Sequence, residues 1–147
     1  MASTVTASTM TVTISESITL NGKNQGGTNT LSIPSVAEVS KRIMTCLTSE
    51  VTLVSFAAAV APGTFIDADV RYVRITNLDD TNFVTLNVEG EGSTDFSIRL
   101  DAGASYIMAG SFVDHIDISA ATLENVSAIK GTANTAVCDL EVVVASA

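Results

Sequence analysis

Met10-Thr11-Val12-Thr13-Ile14-Ser15-Glu16-Ser17-Ile18-Thr19-Leu20 alternates apolar and polar, mostly hydroxylated, side chains almost without a break. A period of two puts Met10, Val12, Ile14, Ile18 and Leu20 on one face of an extended chain and Thr and Ser on the other. The segment therefore reads as a strand with one dry and one wet face. The same habit runs through the chain. Ser and Thr supply 35 of the 147 residues, and they mostly alternate with apolar neighbours instead of clustering.

Outward from this stretch, Asn21-Gly22-Lys23-Asn24-Gln25-Gly26-Gly27-Thr28-Asn29 has no apolar residue and three glycines, the mark of a loop or an open hairpin end. A short pairing segment over 30–33 is expected to stop at Pro34. Residues 36–46 could form a helical stripe through Val36, Val39, Ile43 and Met44, but Val39, Ile43 and Thr45 also suit a strand, which is the reading favoured over most of it. Residues 50–57 read as a strand followed by the small-residue loop Ala57-Ala58-Ala59-Val60-Ala61 and Pro62-Gly63. Val70-Arg71-Tyr72-Val73-Arg74-Ile75-Thr76 and Phe83-Val84-Thr85-Leu86-Asn87-Val88 flank Asn77-Leu78-Asp79-Asp80-Thr81-Asn82, predicting a hairpin turned by Asn and Asp. After a loop over 89–95, Phe96, Ile98 and Leu100 are expected to point inward, and Asp101-Ala102-Gly103 to turn the chain into a strand over 105–109. Further strands are predicted over 113–118, 126–129 and 137–145, the last with Cys138, Leu140, Val142 and Val144 on one face.

Many short strands, repeating every 8 to 12 residues or roughly so and separated by Gly, Asn and Asp turns, predict an all-β fold: an antiparallel β-sandwich or barrel. A jelly-roll-like sandwich fits this map better than a seven-stranded immunoglobulin sandwich, which would tend to place a Trp in its core, and the chain has none. Residues 1–9 are expected to form an N-terminal arm and 10–147 a single sandwich domain.

Composition narrows the function classes. The chain is 46% hydrophobic with a mean hydropathy of +0.40, which excludes disorder as a description of the whole. Its formal net charge of -9 argues against nucleic acid and against an anionic membrane as partners, since both are bound through clustered Lys and Arg. No apolar run reaches the ~20 residues that cross hydrocarbon, and Met1 to Ser8 lacks the basic and apolar regions of a signal peptide. Residues 1–78 carry five acidic and five basic groups, so the whole of the -9 falls in 79–147. Cys46 and Cys138, far apart in β-like runs, read as buried thiols of a reducing compartment, with a disulfide between them left open.

No constellation for catalysis emerges. A Ser or Cys nucleophile needs a base, and His115 is the single imidazole, on the polar face of Val113-Asp114-His115-Ile116-Asp117. No nucleophile elbow, phosphate loop, dinucleotide fingerprint or zinc-protease helix occurs. Asp67-Ala68-Asp69, Asp79-Asp80 with Asn82, Glu89-Gly90-Glu91 with Asp95, and Asp114 with Asp117 place hard oxygen ligands close together, but none matches the twelve-residue Ca²⁺ loop. The expectation is a protein that is not an enzyme, with no catalytic residue, cofactor or metal assigned.

Three phrases carry a resemblance: Thr11 through Gly22, Val70-Arg71-Tyr72-Val73-Arg74-Ile75-Thr76-Asn77-Leu78-Asp79-Asp80-Thr81-Asn82, and Ser97-Ile98-Arg99-Leu100-Asp101-Ala102-Gly103-Ala104-Ser105-Tyr106. In their strand-turn-strand cadence and the Leu-x-x-Gly turn that leads into a strand, they resemble small virion structural proteins of tailed bacteriophages, marine ones in particular. The resemblance implies a particle component made in the host cytoplasm and carried on the virion exterior, a capsid decoration or cement protein first and a tail, neck or fibre subunit second. It implies the major capsid protein or another virion protein as partner, and a homo-oligomer, with a trimer as the guess. The apolar residues Val60, Phe65, Ile66 and Phe112 near loops are the candidate contacts, with Arg71, Arg74 and Arg99 as a candidate docking stripe. The arm Ala2 to Thr9 could add as an edge strand to a neighbouring subunit. A carbohydrate- or receptor-binding module, using the loop ends 22–29 and 89–95, is the competing class.

Overall fold

The computed structural model describes residues 4–92, 94–110 and 125–147. Phe112, His115, the carboxylates Asp114 and Asp117 and the strand expected over 113–118 lie outside the described residues. Those described form thirteen strands: β1 (Ser8–Ser15), β2 (Thr19–Leu20), β3 (Lys23–Asn24), β4 (Thr28–Val36), β5 (Glu38–Cys46), β6 (Val51–Ala57), β7 (Phe65–Ile66), β8 (Val70–Asn77), β9 (Val84–Gly90), β10 (Asp95–Leu100), β11 (Ser105–Ala109), β12 (Val126–Ala133) and β13 (Cys138–Ser146). The 3-10 turn Asp67–Asp69 is the one helical piece among them, so the all-β expectation holds and 38–46 is a strand.

Two sheets carry the core. One has the order β11-β8-β13-β5 and is antiparallel throughout, while the other has the order β10-β9-β12-β6-β7 and is antiparallel except for β7, which runs parallel to β6. Leu53 and Val54 on β6, Val84, Leu86 and Val88 on β9 and Ile129 on β12 form one buried cluster with Val73 and Ile75 on β8 and Leu140, Val142 and Val144 on β13. At about 25 cal/mol per Å² of apolar surface removed from water, this shared layer is the main favourable contribution to the fold.

From Val142 to Ser146, β13 is buried on both faces. Cys138, Leu140, Val142 and Val144 share one face, as the alternation predicts, whereas Val143 and Ala145 are covered on the other by Ile33 and Val36 of β4 and by Met10 and Val12 of β1. The unbroken run Val142-Val143-Val144-Ala145 suits this half of the strand, which has no wet side. β1 and β4 thus make a third layer, a two-stranded ribbon laid on the outside of the four-stranded sheet.

The ribbon is longer than its first ladder. Glu16 N–H donates to Gly27 C=O at 2.7 Å and Gln25 N–H to Ile18 C=O at 2.9 Å, carrying the pairing on into β2 and β3. Asn21 and Gly22 close it with φ of 51° and 74°, the two positive values a type I′ hairpin turn requires. Residues 21–29 are therefore a hairpin end, one of the two readings of that stretch.

Several boundaries differ from expectation. Pro34 does not stop β4. The register steps from Met10 opposite Ile33 to Ser8 opposite Val36, and Ser35 takes φ 62°, so Pro34 falls in a bulge of a strand that, among the described residues, has a ladder partner on one side only. Ser8 and Thr9, assigned to an arm, belong to β1. The hairpin expected between 70–76 and 83–88 does not form: β8 pairs with β11 and β13, and β9 pairs with β10 and β12, so the Asn-Asp loop crosses between sheets. Asn77 makes that arch, donating from Nδ2 to the carbonyls of Asn82 at 2.8 Å and Leu100 at 3.2 Å. Turn chemistry marks a reversal and does not say which sheet receives the chain. On the edge strand β10, Leu100 and Ile98 reach the core but Phe96 stays exposed.

Candidate docking surface

Even-numbered residues of β1 and their partners on β4 share the face turned to the sheet: Met10 opposite Ile33, Val12 opposite Leu31, Ile14 opposite Asn29. Near its base the ribbon buries this face on Tyr72, Val143 and Ala145. Farther out the cover ends. Ile14 and Leu31 overhang β11 and, with Val12, Ile107 and Ala109, line an apolar cleft of about 270 Å³. Ile18 and Leu20 at the ribbon end are 48% and 56% exposed. The dry face read from the sequence is real, but only its first half is dry, because a ribbon laid on the sheet at one end leaves the other without a surface beneath it.

Val39 and Ile43 are further exposed apolar side chains on the same side of the four-stranded sheet, at its other edge. Opposite Ala145 and Glu141 respectively, they stand on the outward face of the edge strand β5, and Ile43 is 67% exposed. Exposed apolar side chains gathered in one place, as Val12, Ile14, Leu31 and Ile107 are around the cleft, mark interaction sites more often than side chains scattered singly do. Sequence reasoning took Met10 to Leu20 as a core face, so it missed Ile14, Ile18 and Leu20 as contacts. The missing signal was that no element in the sequence pattern had a matching spare face to cover them.

The expected contact residues fall in separate places. Val60, 85% exposed, lines a shallow pocket with Phe65, Ile66, Glu38 and Ala147, so three of the apolar candidates do come together at one end of the molecule. Phe65 is half-buried against the main core. The arginines do not form a stripe. Arg71 donates to the carbonyl of Ala68 at 2.6 Å, beside the cleft under the ribbon base. Arg74 lies on the outward face of the four-stranded sheet, bound to Glu141. Arg99 is on β10 in the other sheet, bound to Asp101 at 2.6 Å and stacked 3.9 Å over the Phe83 ring.

Several of the acidic groups weighed as oxygen ligands are engaged by the protein itself. Asp79 Oδ1 accepts from the amides of Asn82 at 2.6 Å and Thr81 at 2.8 Å, and these two bonds, Asn82 first, hold its carboxyl below the ordinary range. Asp67 Oδ1 accepts from Ala68 N–H at 2.6 Å. Lys130 bridges Glu89 at 2.8 Å and Glu50 at 3.2 Å, and the Glu89 hydrogen bond raises its pKa most. Among the described residues no three His, Cys, Asp or Glu side chains are grouped to hold a metal ion, and none of the described helical pieces is long and apolar enough to cross a membrane. No family model, no curated protein and no solved structure matches the chain.

Proposed function

We propose that this protein is a non-enzymatic structural component of a tailed-bacteriophage virion, seated on the capsid exterior as a decoration or cement protein. The observation that carries the reading is the ribbon: a two-stranded element with Ile14, Ile18, Leu20 and Leu31 exposed along it, suited to lie against a neighbouring subunit. Connectivity supports it as well. From β5 to β13 the chain changes sheet at each step between the eight principal strands except β9 to β10, and the sheet orders β5-β13-β8-β11 and β6-β12-β9-β10 support reading it as a double Greek key of the jelly-roll kind. That architecture recurs in viral capsid domains and in lectins. In this reading the ribbon takes the role of the arm, the partner is the major capsid protein or a second copy of the chain, and a trimer is the expected assembly.

Quantitative mass spectrometry of purified particles tests the proposal. A copy number equal to the major capsid protein or a simple fraction of it supports a lattice-covering role. A far smaller number moves the protein to the tail, neck or fibres, where the loop ends would serve receptor or carbohydrate binding, and absence from particles sinks the virion reading. Ile18→Ser with Leu20→Ser should leave the fold intact and weaken binding to expanded capsids.

A further inference from the structure

Two cysteines 92 positions apart in sequence meet as direct partners in the β5–β13 ladder: Cys46 stands opposite Cys138. Both side chains belong to the same buried cluster, and both are free thiols. Their rung is the last of the ladder, since β5 ends at Cys46 and β13 begins at Cys138. The carbonyl of Asp139 accepts from Leu78 N–H at 2.9 Å, on the β8 side, so by alternation the main-chain groups of Cys138 turn toward β5. Such a hydrogen-bonded pair holds its Cα atoms about 5.5 Å apart, inside the span of about 4.4–6.8 Å that a disulfide bridges.

We propose that Cys46 and Cys138 are an oxidisable dithiol, a site of intramolecular disulfide formation that fastens the start of β13 to the end of β5. The chemistry is ordinary exchange with a small disulfide such as oxidised glutathione. One cysteine sulfur, as thiolate, attacks a glutathione sulfur and releases one glutathione thiol. The second cysteine then displaces the other glutathione from the mixed disulfide. Two protein thiols lose two protons and two electrons in all, and one oxidised glutathione becomes two reduced ones. Burial, with Cys138 beside it, pushes the Cys46 thiol up, and burial with the Asp79 carboxylate pushes Cys138 up. Both stay protonated in the folded protein near neutral pH, so exchange is slow there and proceeds as the chain folds or opens. The closed loop contains β6 to β12, so the bond restricts the unfolded chain over most of its length.

The test is refolding of the reduced full-length chain in a buffer of reduced and oxidised glutathione, followed by acid quench, alkylation in denaturant and intact mass. The expected product is a monomer that has lost two hydrogens, takes up no alkylating agent, yields a Cys46–Cys138 linked peptide on digestion and melts at a higher temperature than the reduced form, the increment vanishing with dithiothreitol. A product with two alkylatable thiols at equilibrium, a stable glutathione adduct on one cysteine, or a disulfide-linked dimer each overturns the proposal. The mass readout uses the wild-type chain, so it does not depend on whether a Cys46→Ala variant folds.

Discussion

Arg74 Nη2 lies 2.9 Å from Glu141 Oε1, diagonally across the β8–β13 ladder on the outward face of the four-stranded sheet. Lys41 Nζ approaches the same oxygen at 3.3 Å from β5, and Arg74 also reaches Thr76 Oγ1, which is 2.7 Å from Ser105 Oγ on β11. A single polar row therefore ties all four strands beside the margin of the apolar ribbon.

The Arg74 hydrogen bond, helped by Lys41 and opposed by desolvation, holds the Glu141 carboxyl below the usual glutamate range. A folded-state pKa below the unfolded one gives stability that is fully present above the unfolded value, about 4.3, and is lost as pH falls through the folded value. Glu141→Gln is expected to lower the urea midpoint at pH 7, and the gap to wild type should close in acid. A gap independent of pH would show that packing, not charge, is what the side chain contributes.

Leu140 is fully buried on the central strand β13, whereas Ile43, on the neighbouring strand β5, is mostly exposed. Leu140→Ala should cost about 2–5 kcal/mol, the transfer term plus the cavity. Ile43→Ser should stay within about 0.5 kcal/mol as a surface change. Equilibrium urea unfolding reads both. A large loss from Ile43→Ser would mean that the isolated chain already buries this face, for instance in a self-associated form.

The strand content was legible because period-two alternation in segments such as 137–145 reports directly on a sheet face. Layer assignment was not. Asn77 to Asn82 announces a reversal, but the choice between a hairpin and a crossover depends on Asn77 reaching Leu100 C=O, a contact 23 residues away that no local pattern encodes. The docking surface was hidden by the same ambiguity. Ile14 and Val12 are indistinguishable in the sequence, and what separates them is where the ribbon's supporting sheet ends.

Asn77 is fully buried and uses both ends of its amide: Nδ2 donates to two carbonyls and Oδ1 accepts from Asp79 N–H at 3.1 Å. Asn77→Ala deprives these groups of their side-chain partner and is expected to cost roughly 1–3 kcal/mol. The loss should be accompanied by faster amide hydrogen exchange at Asp79, Thr81 and Asn82, since the arch they form hangs from this side chain. Unchanged exchange in the loop would show that Asp79 alone shapes it.

Gly131 sits in β12 directly over Cys46. A methyl group there would meet Cys46 Sγ and Leu53 Cδ1, each at 3.0 Å, so both neighbours, which are fully buried, would have to give way by a few tenths of an ångström. Gly131→Ala is therefore expected to destabilise by about 1–3 kcal/mol through overpacking, despite the general gain from replacing glycine in a strand. Cys46→Ala should also destabilise, by removing the sulfur that fills this space. Combined, the two changes partly exchange one atom for the other: the alanine methyl at 131 occupies volume that the sulfur at 46 gives up. The double variant should accordingly be more stable than the sum of the single losses predicts, with a coupling of about 0.5–3 kcal/mol in its favour, read from a urea double-mutant cycle. Strict additivity would mean that Leu53, not Cys46, is what the added methyl strikes, and Leu53→Val in the Gly131→Ala background would then restore the stability instead.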